Sequence, residues 1–315
     1  MFVSERDGNR EVYWMRPNGA SVQRVTTDGA DDYPAPQPPY AKQLLLLRAS
    51  GEHQHDHAEQ LFVAPWQGGD AAPLGRVGSR IRNPSWFPDG KRVVVEAAID
   101  GFRDLYIVSL NGKVTRLTHD PKGSFEPSVS PNGAAIAFVS SRENDAEIYL
   151  LTMPSKQLSR LTWSRGDDSF PTFSPDGKTI AFVSMRAHTP RLHVMNVDGS
   201  KPRLLGGEVT AEHIEDRDLA FSPDGALIAM TRRRKGHAEV VVVRLKDGVI
   251  VATSGAHDID EMPTWSPDGK YLAFSSDRSG DTELWIMRRD GSGAMAITHS
   301  PKPDWLPRWV AEPKN

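Results

Sequence analysis

The chain has 315 residues, with 38 Lys and Arg against 41 Asp and Glu, a formal net charge of −3 and 25% charged residues. That balance excludes a dedicated nucleic-acid binder, which would carry a strong basic footprint. Cysteine is absent, so disulfides, thiolate metal sites and cysteine nucleophiles are excluded. The longest apolar runs, Leu44 to Leu47 and Val240 to Val243, have strand length and are far too short to span a bilayer.

No charged leader followed by an apolar core stands at the start of the chain. A cytoplasmic location is therefore expected for the chain as given, or a periplasmic one if a leader was removed. Phe2-Val-Ser-Glu-Arg6 and Glu11-Val-Tyr-Trp-Met15 match Phe274-Ser-Ser-Asp-Arg278 and Glu283-Leu-Trp-Ile-Met287 much further on. From Pro34 a phrase recurs about every 44 residues: Pro, a small residue, an aromatic, then Ser-Pro-Asp-Gly. Its cleanest copies are Pro171 to Gly177 and Pro263 to Gly269, with variants at Pro84 to Gly90, Pro127 to Gly133 and Leu219 to Gly225. Pro34-Ala-Pro36 is a degenerate copy, and Pro307-Arg-Trp-Val310 begins a copy of which only the first strand is made.

Within a repeat, Pro-Asp-Gly predicts a tight turn in which Pro sets φ and Gly takes a positive φ. A second strand follows, as in Thr179 to Val183, and a third such as Glu147 to Leu151, rich in β-branched and aromatic residues. Turns at Asp198-Gly199 and Asp290-Gly291 lead into the fourth, Arg160-Leu-Thr162 in one copy. No segment supports a long helix. Four short strands at this period predict an all-β fold, a seven-bladed β-propeller of four-stranded antiparallel blades. The expected organisation is one domain over residues 1–315. Its first blade combines 304–315 with 1–30, so the C-terminal strand joins the N-terminal strands and shuts the ring. Further blades start near 31, 81, 124, 168, 216 and 260.

The phrase, the Phe-x-Ser-x-Arg and Glu-Ile-Tyr elements and the Arg-Leu-Thr ending resemble the WD40-like propeller repeats of TolB and its relatives. The same repeat is similar to those in propeller domains of prolyl oligopeptidase-like proteins and in oligogalacturonate lyases. The resemblance covers essentially the whole chain and implies the propeller fold. It departs from TolB in counting seven blades rather than six and in lacking the N-terminal TolB domain, so no partner-binding residue is carried across.

Three residues before each anchor stand Asp31, Asp168, Asp216, Asp260 and Asp304, and five carboxylates around an axis suggest a cation site. Arginines near the end of the second strand favour another role. Salt bridges from one blade to the next are expected between Arg6 and Asp31, Arg142 and Asp168, Arg186 and Asp216, Arg234 and Asp260, and Arg278 and Asp304. The run His53-Gln-His-Asp-His57 places His53, His55 and His57 on one side if extended, an arrangement able to hold Zn²⁺ or another transition metal, or to be a solvated loop. His119, His257 and His299, with Trp163 at the equivalent position and Trp305 nearby, are candidates for docking a partner or shielding strand ends. The run Arg232 to Lys235 reads as a solvated hairpin tip rather than a nucleic-acid patch.

Ala35, Ser85, Ser128, Thr172, Ala220 and Thr264 follow the anchors, as the taper toward an axis demands, but the seventh copy carries Arg308. An arginine near a channel mouth can recognise a carboxylate or phosphate, plug the bore or pair with a local acid. Gly-x-Ser-x-Gly, His-Glu-x-x-His and P-loop motifs are all absent. The expected function is a non-catalytic scaffold that binds a protein, a peptide or a small ligand through its loop face and channel mouth. No cofactor is required, no nucleic acid is bound and no membrane is entered. A metal-dependent polysaccharide lyase of the oligogalacturonate type, using a divalent metal, and a small-anion sensor centred on Arg308 are the alternatives.

Overall fold

The computed structural model describes residues 1–37, 43–50, 58–66, 68–99, 101–186, 188–207, 213–255 and 259–310. Among them, twenty-eight strands form seven four-stranded antiparallel sheets and no helix appears. Blade 1 pairs Asp304–Trp305 with Phe2–Ser4, followed by Glu11–Trp14 and Gln23–Arg24. The ring is thus shut by the pairing that the partial copy at Pro307 implies. The first strands of blades 2 to 7 are Asp31–Pro34, Ser79–Trp86, Ser124–Val129, Asp168–Phe173, Ile214–Phe221 and Asp260–Trp265.

Apolar residues fill the gaps between neighbouring sheets, one cluster to each gap. Leu45 and Leu61 of blade 2 meet Val93, Val95 and Tyr106 of blade 3, and Ile148 and Leu161 of blade 4 meet Ile180 and Phe182 of blade 5. The gap between blades 7 and 1 is the thinnest, with Phe2, Tyr13 and Leu284 as its buried residues. Both faces of an inner sheet are therefore covered, which is why second strands such as Thr179–Ser184 read as nearly continuous apolar runs.

The phrase has a physical part for each letter. Ser174 Oγ donates to Asp176 at 2.6 Å and accepts from Thr179 N, while Gly177 N donates to Ser174 O at 2.8 Å. Gly133 sits at φ +69°, and a methyl there would come within 3.1 Å of Pro88, the turn proline of the blade before. Tryptophans at the aromatic position stitch blades together. Trp86, Trp265 and Trp309 donate their indole N–H to the carbonyls of Pro36, Ala220 and Thr264 in the preceding blade's phrase, at 2.7, 3.1 and 3.1 Å.

The five Asp–Arg pairs form differently from the expectation. Arg6 meets Asp304 at 2.6 Å rather than Asp31, Arg142 meets Asp120 at 3.1 Å rather than Asp168, and Arg186 meets Asp168 at 3.0 Å rather than Asp216. Arg278 binds Asp260 rather than Asp304, and Arg234 lies 3.5 Å from Glu239 rather than against Asp260. Register is the cause. Asp168 lies opposite Ser184, Asp260 opposite Ser276 and Asp304 opposite Ser4. The arginine two residues on from each serine is then a diagonal neighbour across the same pair of strands.

Each serine hydroxyl also accepts from its arginine's Nε, at 2.7 Å for Arg186 and 2.8 Å for Arg6, which explains the Ser-x-Arg element. Aromatic rings complete the seat: Arg142 lies over Tyr149 at 4.6 Å and Arg278 over Trp285 at 4.6 Å. In blade 4, where Ser124 replaces the Asp, Asp120 from the preceding connection supplies the carboxylate to Ser140 and Arg142. In blade 2 the buried acid is Asp32, held by both Nε and Nη2 of Arg48 at 2.8 Å, while Asp31 accepts from Arg10 N. With their carboxylates turned to arginines, these residues form no cation ring, and among the described residues no group of three or more His, Asp or Glu could hold a metal.

The Glu-Ile-Tyr and Arg-Leu-Thr elements belong to one device. Glu147, buried at the start of the third strand, accepts from Arg160 at 2.9 Å and from the Thr162 hydroxyl, while Ile148 N donates to Thr162 Oγ1. Glu11 with Arg24 and Thr26 repeats it, as does Asp104 with Arg116 and Thr118. The basic run begins in the core and ends at a hairpin tip. Arg232 is buried against Asp216, Arg233 binds Glu261 and Arg234 faces Glu239, which leaves Lys235 exposed at the turn.

Candidate functional site

The first strands of the blades converge on a central cavity of about 2150 Å³. Outside blade 2, whose first strand pairs without a shift, the backbone turns left-handed at one equivalent place. Asn83, Glu126, Phe170, Asp218, Met262 and Leu306, each immediately before its anchor, sit at φ between 49° and 57°. Register shifts mark the bulge between Phe125 and Ser128, Ser169 and Thr172, Arg217 and Ala220, and Glu261 and Thr264. A left-handed residue with a side chain carries strain, and bulges re-aim side chains toward sites. Asn83, Glu126, Phe170, Asp218 and Leu306 line the cavity, together with Tyr33, their counterpart in blade 2.

The bulge also frees an amide, which the preceding blade takes up. Glu126 N donates to Glu96 Oε2 at 2.8 Å, Phe170 N to Glu126 Oε2 at 2.7 Å, Met262 N to Thr231 Oγ1 at 3.1 Å and Leu306 N to Ser275 Oγ at 3.2 Å. Blade-to-blade bonding near the axis is therefore made by these amides. The residues before the anchors share no residue type, so the repeat pattern does not mark them as a group.

Charges at the cavity are mostly committed. Glu96 binds Arg103, whose guanidinium stacks over Phe125 at 4.9 Å. Arg217 binds Glu261, and Asp218 Oδ2 accepts from Thr231 Oγ1 at 2.7 Å. Burial pushes the Glu126 carboxyl above its ordinary range, against the pull of the Phe170 amide and the Arg103 charge. The folded chain thus holds this proton more tightly than the unfolded chain does. Stability from this group is present below the ordinary value of 4.5 and is lost as pH rises through the raised folded value. Glu126→Gln is therefore expected to stabilise the chain at neutral pH by up to about 1 kcal/mol, a gain that shrinks in acid. Denaturant midpoints at neutral and acid pH check this; a gain that grows in acid contradicts it.

Arg308 lines the same cavity. Its backbone is fixed, with Arg308 N donating to Met1 O at 2.8 Å, but among the described residues its side chain reaches only the Pro307 carbonyl, from Nη1 at 3.3 Å. Burial lowers its pKa from the ordinary arginine value, and the charge of Asp218 raises it in part.

The other candidates lie elsewhere. His119, Trp163 and His299 are exposed where fourth strands end, and none lines the cavity. Trp163 is 70% exposed with Arg160 over its ring at 5.7 Å. Trp305 is half-buried, pairs with Val3 and carries Arg10 over its ring at 5.8 Å. The structure does not bring these residues together with Arg308. His53, His55, His57 and His257 lie outside the described residues.

No helix of the described residues is long and apolar enough to cross a membrane. A TolB homolog of Chlorobium luteolum is 30% identical over 162 residues, which cover 50% of this chain and 35% of that protein. The match thus spans about a third of that relative's length. Among solved structures, TolB of Acinetobacter baumannii superposes with a TM-score of 0.65 at 22% identity, over 86% of this chain and 67% of that one. An oligogalacturonate lyase in complex with manganese gives a TM-score of 0.70 at 12% identity, over 91% and 83% of the two chains. At such identities these superpositions speak for the fold alone. The model of the TolB beta propeller domain matches residues 53–205 and 217–315, and by that match the chain belongs to the TolB β-propeller family.

Proposed function

We propose that this propeller is a non-catalytic binding module that takes a protein segment or small ligand at the mouth of its central channel. The observation that carries this reading is the ring of differing side chains around a cavity of about 2150 Å³, Asn83, Glu126, Phe170, Asp218 and Leu306 at left-handed positions and Tyr33 on a regular strand. A concave surface with varied side chains on rigid strands suits recognition. Arg308 apart, the charged groups there are mostly committed to partners within the chain, which suits a scaffold better than a reaction centre. Thr172 lines the bore, so Thr172→Trp is expected to abolish ligand binding while the melting transition is kept. A ligand bound equally well by this variant contradicts the channel as the binding surface.

A metal-dependent polysaccharide lyase is the second reading, favoured by the shared fold with the manganese-bound lyase and by the run His53 to His57. Metal content of the purified protein and an ultraviolet assay for unsaturated uronate products separate the two. Stoichiometric metal together with turnover establishes the lyase and ends the scaffold reading.

A further inference from the structure

We propose that the level of the channel occupied by Arg308 is a carboxylate-recognition site for a singly charged ligand with an apolar body, a proposal that rests on the channel being the binding surface. At this level the other blades carry Ala35, Ser85, Ser128, Thr172, Ala220 and Thr264. Two of these are structural: Ser85 Oγ accepts from Val129 N at 3.0 Å and Ser128 Oγ from Phe173 N at 3.4 Å, each in the next blade. A guanidinium has no acceptor and cannot take that part.

Of its five N–H donors, one reaches the Pro307 carbonyl, and the buried Nε has no partner among the described residues. Asp218 acts on Arg308 through its field without an ion pair, its Oδ2 being taken by Thr231. The fully buried arginines Arg191 and Arg232, by contrast, share the Asp216 carboxylate. A planar fork with free donors matches a carboxylate in two parallel hydrogen bonds. A doubly charged phosphate is disfavoured, since Asp218 and Glu126 line the same cavity and repel the second charge. Pro34, Pro84, Pro127, Pro171 and Leu219 supply an apolar wall for the rest of the ligand.

The test titrates the protein with hydrocinnamate, its neutral counterpart hydrocinnamyl alcohol and inorganic phosphate, followed by ligand-detected NMR. The acid is expected to bind at least ~10-fold tighter than either control, and Arg308→Gln to weaken the acid by about 10- to 100-fold with little effect on the alcohol. Arg308→Lys, which keeps the charge but not the fork, is expected to fall between them. A dipeptide ending in Phe, offered as free acid and as amide, identifies the source. An acid-dependent preference for the dipeptide over hydrocinnamate assigns the carboxylate to a chain terminus, and equal or weaker binding assigns it to a small acid. Acid and alcohol binding alike, or unchanged acid binding in Arg308→Gln, overturns the carboxylate site and leaves the channel standing. Binding of none of the probes overturns both. Should Arg308→Gln not fold, phenylglyoxal labelling of wild-type Arg308 decides: protection by the acid supports the site, and unchanged labelling overturns it.

Discussion

Asp216→Ala is expected to lower the unfolding free energy by about 3–5 kcal/mol, visible as a drop in Tm and in denaturant midpoint. Asp216 is 1% exposed and lies between Arg191, 1% exposed, and Arg232, 2% exposed. Arg232 reaches it through Nε at 2.7 Å and Nη2 at 3.1 Å and Arg191 through Nε at 3.1 Å, while the Leu192 amide donates to it at 3.0 Å. Removing the shared carboxylate leaves two buried positive charges facing each other in a medium of low polarisability. Among the described residues Arg232 then keeps only the Gly206 carbonyl, at 2.8 Å. Because Arg191 belongs to blade 5 while Asp216 and Arg232 belong to blade 6, the loss is felt across a blade interface. Replacing all three with apolar residues of similar volume is expected to recover much of the stability. A loss under about 1 kcal/mol for Asp216→Ala would show that the triad contributes as little as a surface pair.

Asp304→Ala is expected to destabilise the chain by about 2–3 kcal/mol and to loosen the ring at its closure. Asp304 is buried and binds Arg6, whose side chain is 25% exposed, so the penalty is smaller than for a fully buried pair. Its position makes it matter, because it joins strands 298 residues apart in sequence. Among the described residues the apolar cluster at this interface holds Phe2, Tyr13 and Leu284 as buried members, against seven in the gap between blades 4 and 5. Asp168→Ala, which breaks the like pair with Arg186 inside blade 5, is the control. Hydrogen exchange should quicken at Phe2–Ser4 in Asp304→Ala and not in Asp168→Ala. Equal protection of Phe2–Ser4 in both variants would show that closure does not depend on this pair.

The repeat, its blade count and its closure were all legible in the chain, since each letter of the phrase answers to a local need. Gly133 at positive φ, Ser174 under its turn and Trp86 reaching a carbonyl are decided within a few residues or one repeat. The Asp–Arg assignments were not legible. Arg6, Arg142, Arg186 and Arg278 do pair with aspartates, but matching each Arg to the next blade's Asp closes five pairs in the sequence and matching within a blade only four, so counting favours the wrong offset. Only the register of Asp168 against Ser184, and of its equivalents, chooses among the offsets. Arg48 was missed because its acid had slipped by one residue to Asp32, and Asp120 because it stands outside the first strand that it serves.

The candidate site divides in the same way. Arg308 stood out because six copies of the phrase carry a small residue at its position, a comparison that needs no coordinates. His119, Trp163 and His299 looked equally distinctive but end on outer strands, away from the axis. The bulge residues were invisible as a group, since Asn83, Glu126, Phe170, Asp218, Met262 and Leu306 share no chemistry. Local pattern determined the blades, because turns, strands and caps are satisfied by neighbours in sequence. The convergence of the blades on one axis decided the site, because residues about 44 apart face one cavity only once the ring has closed.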